Sequence, residues 1–227
     1  MKAEVNGITL WYEVRGQGKP LILLHGNGED HTIFDELAAR LGEHYTVYAV
    51  DSRDHGRSSR MEKLSYEIMA SDVEALIESL GLRGAALYGF SDGGIVGLLT
   101  ALERPELLSA LAVSGANLNP GGLKTLFHWM MRLEYLRKRD KKIKLMLREP
   151  DISPESLGNI QIPVLVLAGE KDLIREEHTC LIAESIPHST LQILPGESHG
   201  SYVVHSERLY PLLKEFLDIH SGKVRLS

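Results

Sequence analysis

The sequence predicts an α/β fold, a doubly wound and mostly parallel sheet that opens with an antiparallel hairpin and carries a short helical lid. Three observations predict it. Short, almost purely apolar runs lie at residues 21–24, 45–50, 85–88, 108–113, 164–168 and 190–194, the pattern of strands buried on both faces of a parallel sheet. Amphipathic stretches at 32–41, 66–80, 93–102, 176–186 and 207–219 alternate with them through short connections, which implies right-handed βαβ units. The rhythm breaks between Ser114 and Pro163, an interval far longer than one helix and two ordinary loops require.

Taken in order, Asn6-Gly7 stands between the alternating runs Lys2-Ala3-Glu4-Val5 and Ile8-Thr9-Leu10-Trp11-Tyr12-Glu13-Val14, which is the signal of a hairpin with a type I′ turn. The parallel strands and their helices follow from Pro20 onward. The long interval places an inserted lid at 117–157, with the core formed by 1–116 and 158–227. No internal repeat or low-complexity tract interrupts this organisation.

Composition narrows the class. With 43% hydrophobic and 25% charged residues in 227, the chain has enough apolar content to fold, and a domain of this size buries roughly 70% of its unfolded surface without a staple. Cys180 is the lone cysteine, which excludes an intrachain disulfide and a Cys-rich zinc site and fits a reducing, cytoplasmic setting. A net charge of −6 argues against general nucleic-acid binding. Residues 1–15 lack the apolar stretch of a signal peptide, and the longest charge-free window, 107–123, is broken by Asn117, Asn119, Pro120 and three glycines, so no membrane span is expected. Nothing in the sequence fixes an oligomeric state.

The chemistry concentrates at Gly89-Phe90-Ser91-Asp92-Gly93, between an apolar run and a helix that begins with Gly93-Gly94. A strand, a sharp turn and a helix are what a nucleophile elbow requires. Serine there sits in strained backbone, flanked by glycines because any Cβ would meet the neighbouring strand or helix. The motif alone is weak, and its partners give it weight. A serine hydroxyl needs a neutral histidine to take its proton and a carboxylate to fix that histidine's tautomer. Asp172 and His199 each follow the end of a predicted strand, and the order Ser, Asp, His fits. Glu170 is the nearest rival for the acid. Among the other histidines, His188, His205 and His220 fall before a strand or in a helix and are expected at the surface.

The strand 21–24 runs into His25-Gly26-Asn27-Gly28, whose glycines free backbone amides. The amides of Asn27 and of Asp92 are the expected oxyanion donors. A phosphate cradle fails for want of a Walker lysine and of Gly-x-Gly-x-x-Gly spacing. His25 is expected to be a packed, hydrogen-bonded loop residue.

Together with Asp51-Ser52-Arg53-Asp54-His55-Gly56-Arg57-Ser58 and Ser198-His199-Gly200, these motifs make the chain resemble the α/β-hydrolase superfamily over essentially its whole length, and in particular its small lid-bearing serine esterases. The resemblance implies a nucleophile at Ser91, an acid at Asp172, a base at His199 and oxyanion amides at Asn27 and Asp92. It implies no cofactor and no metal. Asp54 stands where the family usually has glycine, and aspartate tolerates positive φ better than most residues; Asp51 and Arg53 are expected to be structural. Members that open epoxides or remove halides use an aspartate nucleophile, so Ser91 points instead to acyl transfer on a small ester, thioester or lactone. Hydrolysis of a carbon–carbon bond, perhydrolysis, or a non-catalytic receptor role on the same fold are the alternatives.

From Lys124 to Arg148 there are nine basic and two acidic residues, a net +7 that leaves −13 for the rest. Leu123, Leu126, Phe127, Met130, Leu133 and Leu136 recur at helical spacing there, which predicts a helix with its apolar face turned inward and its charges in water. Phe127, Trp129, Met130 and Met131 are the candidate pocket residues, with a basic rim that would attract anionic small-molecule substrates.

Overall fold

The computed structural model describes residues 1–220. Among them, strands β1 (Lys2–Val5), β2 (Ile8–Arg15), β3 (Lys19–Leu24), β4 (Tyr45–Asp51), β5 (Ala85–Phe90), β6 (Leu108–Ser114), β7 (Val164–Lys171) and β8 (Ser189–Ser198) form one sheet in the order β1-β2-β4-β3-β5-β6-β7-β8. β1, β2 and β4 pair antiparallel, and every pairing from β4 to β8 is parallel. The hairpin closes with Val5 opposite Ile8, and Asn6 and Gly7 take φ of 49° and 74°, as a type I′ turn demands.

Seven α-helices lie among the described residues: α1 (Asp35–Leu41), α2 (Tyr66–Ser79), α3 (Asp92–Glu103), α4 (Thr125–Lys138), α5 (Lys141–Arg148), α6 (Glu176–Ser185) and α7 (Tyr210–His220). They cover both faces of the sheet. Ile22, Leu24, Leu87, Val164 and Val166 pack with α2, α3 and α6, while Leu21, Leu23, Tyr88, Leu165 and Leu167 pack with α1 and α7. Successive strand residues serve opposite cores, which is why the central strands read as unbroken apolar runs.

The structure departs from the sequence expectations in four places. The first turn of the 32–41 stretch is a 3₁₀ helix, His31–Phe34, capped by the Asp30 side chain on the Thr32 amide. The helix expected from 207 starts at Tyr210. β7 and β8 run on through polar residues to Lys171 and Ser198, because pairing of Lys171 with Ser198 extends the ladder past the apolar segments. β8 is an edge strand and half exposed, so Leu191 faces solvent in part.

The fourth concerns the insertion. Its ends are stitched into the core, the Ile152 amide donating to the Leu118 carbonyl, with Leu118, Ile152, Leu157 and Ile160 buried. Between them α5 does turn an apolar face inward and buries Leu145. α4 does not: none of its residues is buried, and Leu126, Trp129, Met130, Leu133 and Leu136 are exposed. Of the expected stripe only Leu123, just before the helix, and Phe127 turn toward the protein, Phe127 lining the cavity together with Met131, while the rest of the stripe faces solvent.

Candidate active site

The site forms at the carboxyl ends of β5, β7 and β8. β5 ends in Phe90, Ser91 takes φ 53° and ψ −116°, and α3 starts at the next residue. The flanking glycines are explained by contact distances. A Cβ on Gly89 would stand 2.1 Å from the Gly93 carbonyl oxygen, and one on Gly93 would stand 2.2 Å from the Leu24 oxygen on β3. Any side chain at either position would push the helix off the sheet.

Asp172 follows β7 directly and His199 follows β8 directly. The Ser91 Oγ lies 3.0 Å from His199 Nε2, and His199 Nδ1 lies 2.6 Å from Asp172 Oδ1. Asp172 also accepts the Ile174 amide at 2.9 Å and the Gly169 amide at 3.3 Å. Burial pushes its carboxyl upward, but the hydrogen bond and charge of His199 and these two amides outweigh burial and hold it below the ordinary carboxylate value. An anionic Asp172 directs the Nδ1 proton toward itself and leaves Nε2 free to accept from Ser91. Glu170 is exposed and accepts the Gly196 amide instead, in a cleft that includes neither Ser91 nor His199. His205 is exposed and bonded to Asp35.

The Asn27 residue sits on the loop after β3, and its side-chain amide donates to Asp92 Oδ2 at 2.8 Å and to the Lys142 carbonyl at 3.1 Å. The Asp92 amide is the first of α3, where no helical acceptor precedes it. Burial raises the Asp92 carboxyl to about 6, with the Asn27 amide pulling the other way. A cavity of about 230 Å³ opens on Ser91 and His199. Phe127 and Met131 line it, whereas Trp129 and Met130 stand outside it on the exposed side of α4. Phe127 and Met131 are four residues apart and so share one helix face; Trp129 lies on the opposite side, and Met130 stands at the flank, turned to solvent.

Sequence reasoning missed several lining residues. Ile143 and Met146 of α5, Leu173, Asn117 and Glu29 all reach the cavity. Glu29 accepts the Gly26 amide at 2.9 Å, and burial raises its carboxyl. It also missed Gly115, just past β6 at φ 61°, where a Cβ would lie 2.6 Å from His199 Cε1. Gly115→Ala is therefore expected to displace the imidazole and to lower kcat by about 10- to 100-fold, with little change in KM, in a steady-state ester assay.

The remaining loops buttress the site. His25 is buried, its Nδ1 donating to the Gly26 carbonyl at 2.8 Å and its Nε2 accepting the Ser52 amide at 3.1 Å. Burial, reinforced by nearby His55, lowers it to about 4. Its folded value lies below the ordinary 6.5, so protonation opposes folding and the stability it contributes is lost as pH falls from 6.5 toward 4. The stability difference between wild type and His25→Asn, measured by urea unfolding, is expected to shrink by up to about 3 kcal/mol across that interval.

Asp51 accepts the His31 and Arg57 amides, Arg53 pairs with buried Asp72, and neither lines the cavity. Asp54 takes φ 65° and meets Lys141 at 2.9 Å and Lys142 at 3.1 Å, so the residue in glycine's usual place fastens α5 to the core. Among the described residues Asp30, His31 and Asp51 could bring three ligand atoms together, but the His31 ring and two amides already occupy the Asp51 carboxylate.

This combination of sheet order, elbow and strand-end loops defines a fold class, and comparison with known proteins agrees. The alpha/beta hydrolase fold model matches residues 19–142, and the chain belongs to that family. It is 27% identical over 250 residues to human "Serine hydrolase BPHL", covering 95% of this chain and 85% of that protein. By structure it is similar to the enol-lactonase from Burkholderia xenovorans LB400 (TM-score 0.81, 19% identity, 96% of this chain and all of the other). It is equally similar to the meta-cleavage product hydrolase CumD from Pseudomonas fluorescens IP01 (TM-score 0.81, 19% identity, 96% and 97% coverage).

Proposed function

We propose that the protein is a serine hydrolase that cleaves a small-molecule carboxylic ester, thioester or lactone through an acyl-enzyme on Ser91. The observation that carries this reading is the unbroken chain of hydrogen-bond contacts from Ser91 to His199 to Asp172, opening into the cavity. Ser91 Oγ attacks the carbonyl carbon while His199 Nε2 takes its proton. In this reading the backbone amides of Asn27 and Asp92 donate to the oxygen that becomes negative, and the start of α3 favours that charge. His199 then protonates the departing alcohol, Asp172 stabilising the imidazolium meanwhile. A water enters, gives its proton to His199 and attacks the acyl carbon; the bond to Ser91 Oγ then breaks, His199 returns the proton to Oγ, and the acid leaves. The scheme needs neither metal nor cofactor.

The human relative's name supports a serine hydrolase and the enol-lactonase likeness fits lactone chemistry, while the CumD likeness keeps carbon–carbon bond hydrolysis as the second reading, because the same triad serves both. A cavity of about 230 Å³ with Phe127, Met131, Ile143, Met146 and Leu173 along its wall suits a short acyl group. In a panel of p-nitrophenyl esters, kcat/KM is expected to be highest for acetyl to butyryl and about tenfold lower for decanoyl. Turnover of a vinylogous 1,5-diketone with no turnover of any ester would favour the second reading instead.

A further inference from the structure

We propose that the outer face of α4 docks onto an anionic lipid surface. The helix shows two different faces to two different surroundings. Phe127 and Met131 face the catalytic cavity, while Leu126, Trp129, Met130, Leu133 and Leu136 point outward at the i, i+3, i+4, i+7 spacing of one continuous stripe. Exposure is high at every position: Leu126 at 75%, Leu133 at 63% and Leu136 at 59%. Isolated exposed leucines need no explanation, but a stripe of five large apolar side chains along one helix marks a surface that another phase covers.

Charge identifies that phase. Lys124, Arg132, Arg137, Lys138 and Arg139 are exposed along α4 and at its ends, Arg137 and Lys138 sharing Glu134, and Lys144 and Arg148 are exposed on α5; residues 124–148 carry +7 in sequence against −13 for the remainder of the chain, Lys141 and Lys142 being the two held by Asp54. Arg132 lies over the Trp129 ring, 5.1 Å from its centroid, so a cation already sits at the edge of the apolar strip. An amphipathic helix lying in a headgroup layer has this arrangement, with apolar side chains directed to the acyl region and long basic side chains reaching phosphates beside them. The tryptophan suits the boundary between the two. A second copy of the chain is a poor occupant, since pairing α4 with α4 would press two +7 segments together. The −13 remainder is repelled by the same surface, which orients the molecule with α4 toward the lipid. Docking in itself does not depend on the chemistry proposed for Ser91.

The test is co-sedimentation of the full chain with phosphatidylcholine vesicles and with equimolar phosphatidylcholine–phosphatidylserine vesicles, for wild type and for the double variant Leu126→Ser, Leu133→Ser. Both side chains are already in solvent, so the variant is expected to keep its fold and its activity on a soluble ester. Wild type is expected to bind the anionic vesicles at least about tenfold more tightly than the neutral ones and to release them at high salt, and the double variant to lose about tenfold or more in affinity. Equal binding by both proteins, no binding to anionic vesicles, or a lipid-free dimer that the double variant abolishes would each overturn the proposal.

Discussion

Ser91→Ala is expected to lower kcat/KM for an ester by about three to six orders of magnitude while leaving the unfolding midpoint nearly unchanged. The size of the effect follows from what is removed. Among the described residues Ser91 is the hydroxyl paired with His199 Nε2, so in the proposed mechanism alanine leaves no atom to carry the acyl group. Stability is spared because alanine meets the same left-handed backbone strain as serine at φ 53°, and the lost hydroxyl is at a partly open position where water replaces it. Any remaining rate would come from the Asn27 and Asp92 amides and from binding. A variant that melts far below wild type would show that the hydroxyl is structural.

Asp172→Ala is the second large effect, a loss of about three to four orders of magnitude in kcat. Asp172 contacts His199 Nδ1 at 2.6 Å, and in the proposed mechanism it fixes the tautomer and neutralises the cation formed during attack. Asp172→Asn separates these roles. Its oxygen would stay at the Oδ1 position, which accepts both His199 and the Ile174 amide at short distance, and its amide nitrogen would face the longer Gly169 contact. The tautomer then survives and the charge is lost, so asparagine should fall between wild type and alanine. Stability changes with pH in a defined sense. The folded Asp172 carboxyl lies below its ordinary 3.8, so its contribution is full above that value and is lost as pH falls through the lowered one. The gap in stability between wild type and Asp172→Ala, followed by chemical denaturation, should therefore narrow in acid.

What the sequence reveals and what it conceals divide along a physical line. The hairpin, the central strands and the elbow are set by residues adjacent in the chain: Asn6-Gly7 makes its own turn, and Gly89 and Gly93 make room for Ser91. Asp172 and His199 were legible because each follows a strand end, and parallel strands bring those ends together. Features set by distant contacts were not. The period along α4 shows which residues share a face but not which face meets the protein; the start of α4 is held by Arg175 donating to Thr125 and by the Lys124 amide donating to the Leu173 carbonyl, and α5 is held by Asp54 on Lys141 and Lys142 and by Asn27 on the Lys142 carbonyl. Gly115 has no local signal at all, since its demand comes from an imidazole on another strand. The departure at Asp54 was visible in the sequence, and its partners on the lid were not.

The central claim, that Ser91 is a nucleophile driven by His199, is tested most directly by labelling the protein with a fluorophosphonate and mapping the adduct by peptide mass spectrometry. A single phosphonylated site at Ser91 is expected in wild type, with labelling absent from Ser91→Ala and strongly slowed in Asp172→Ala. An unlabelled wild type, or an adduct that persists in Ser91→Ala, would contradict it.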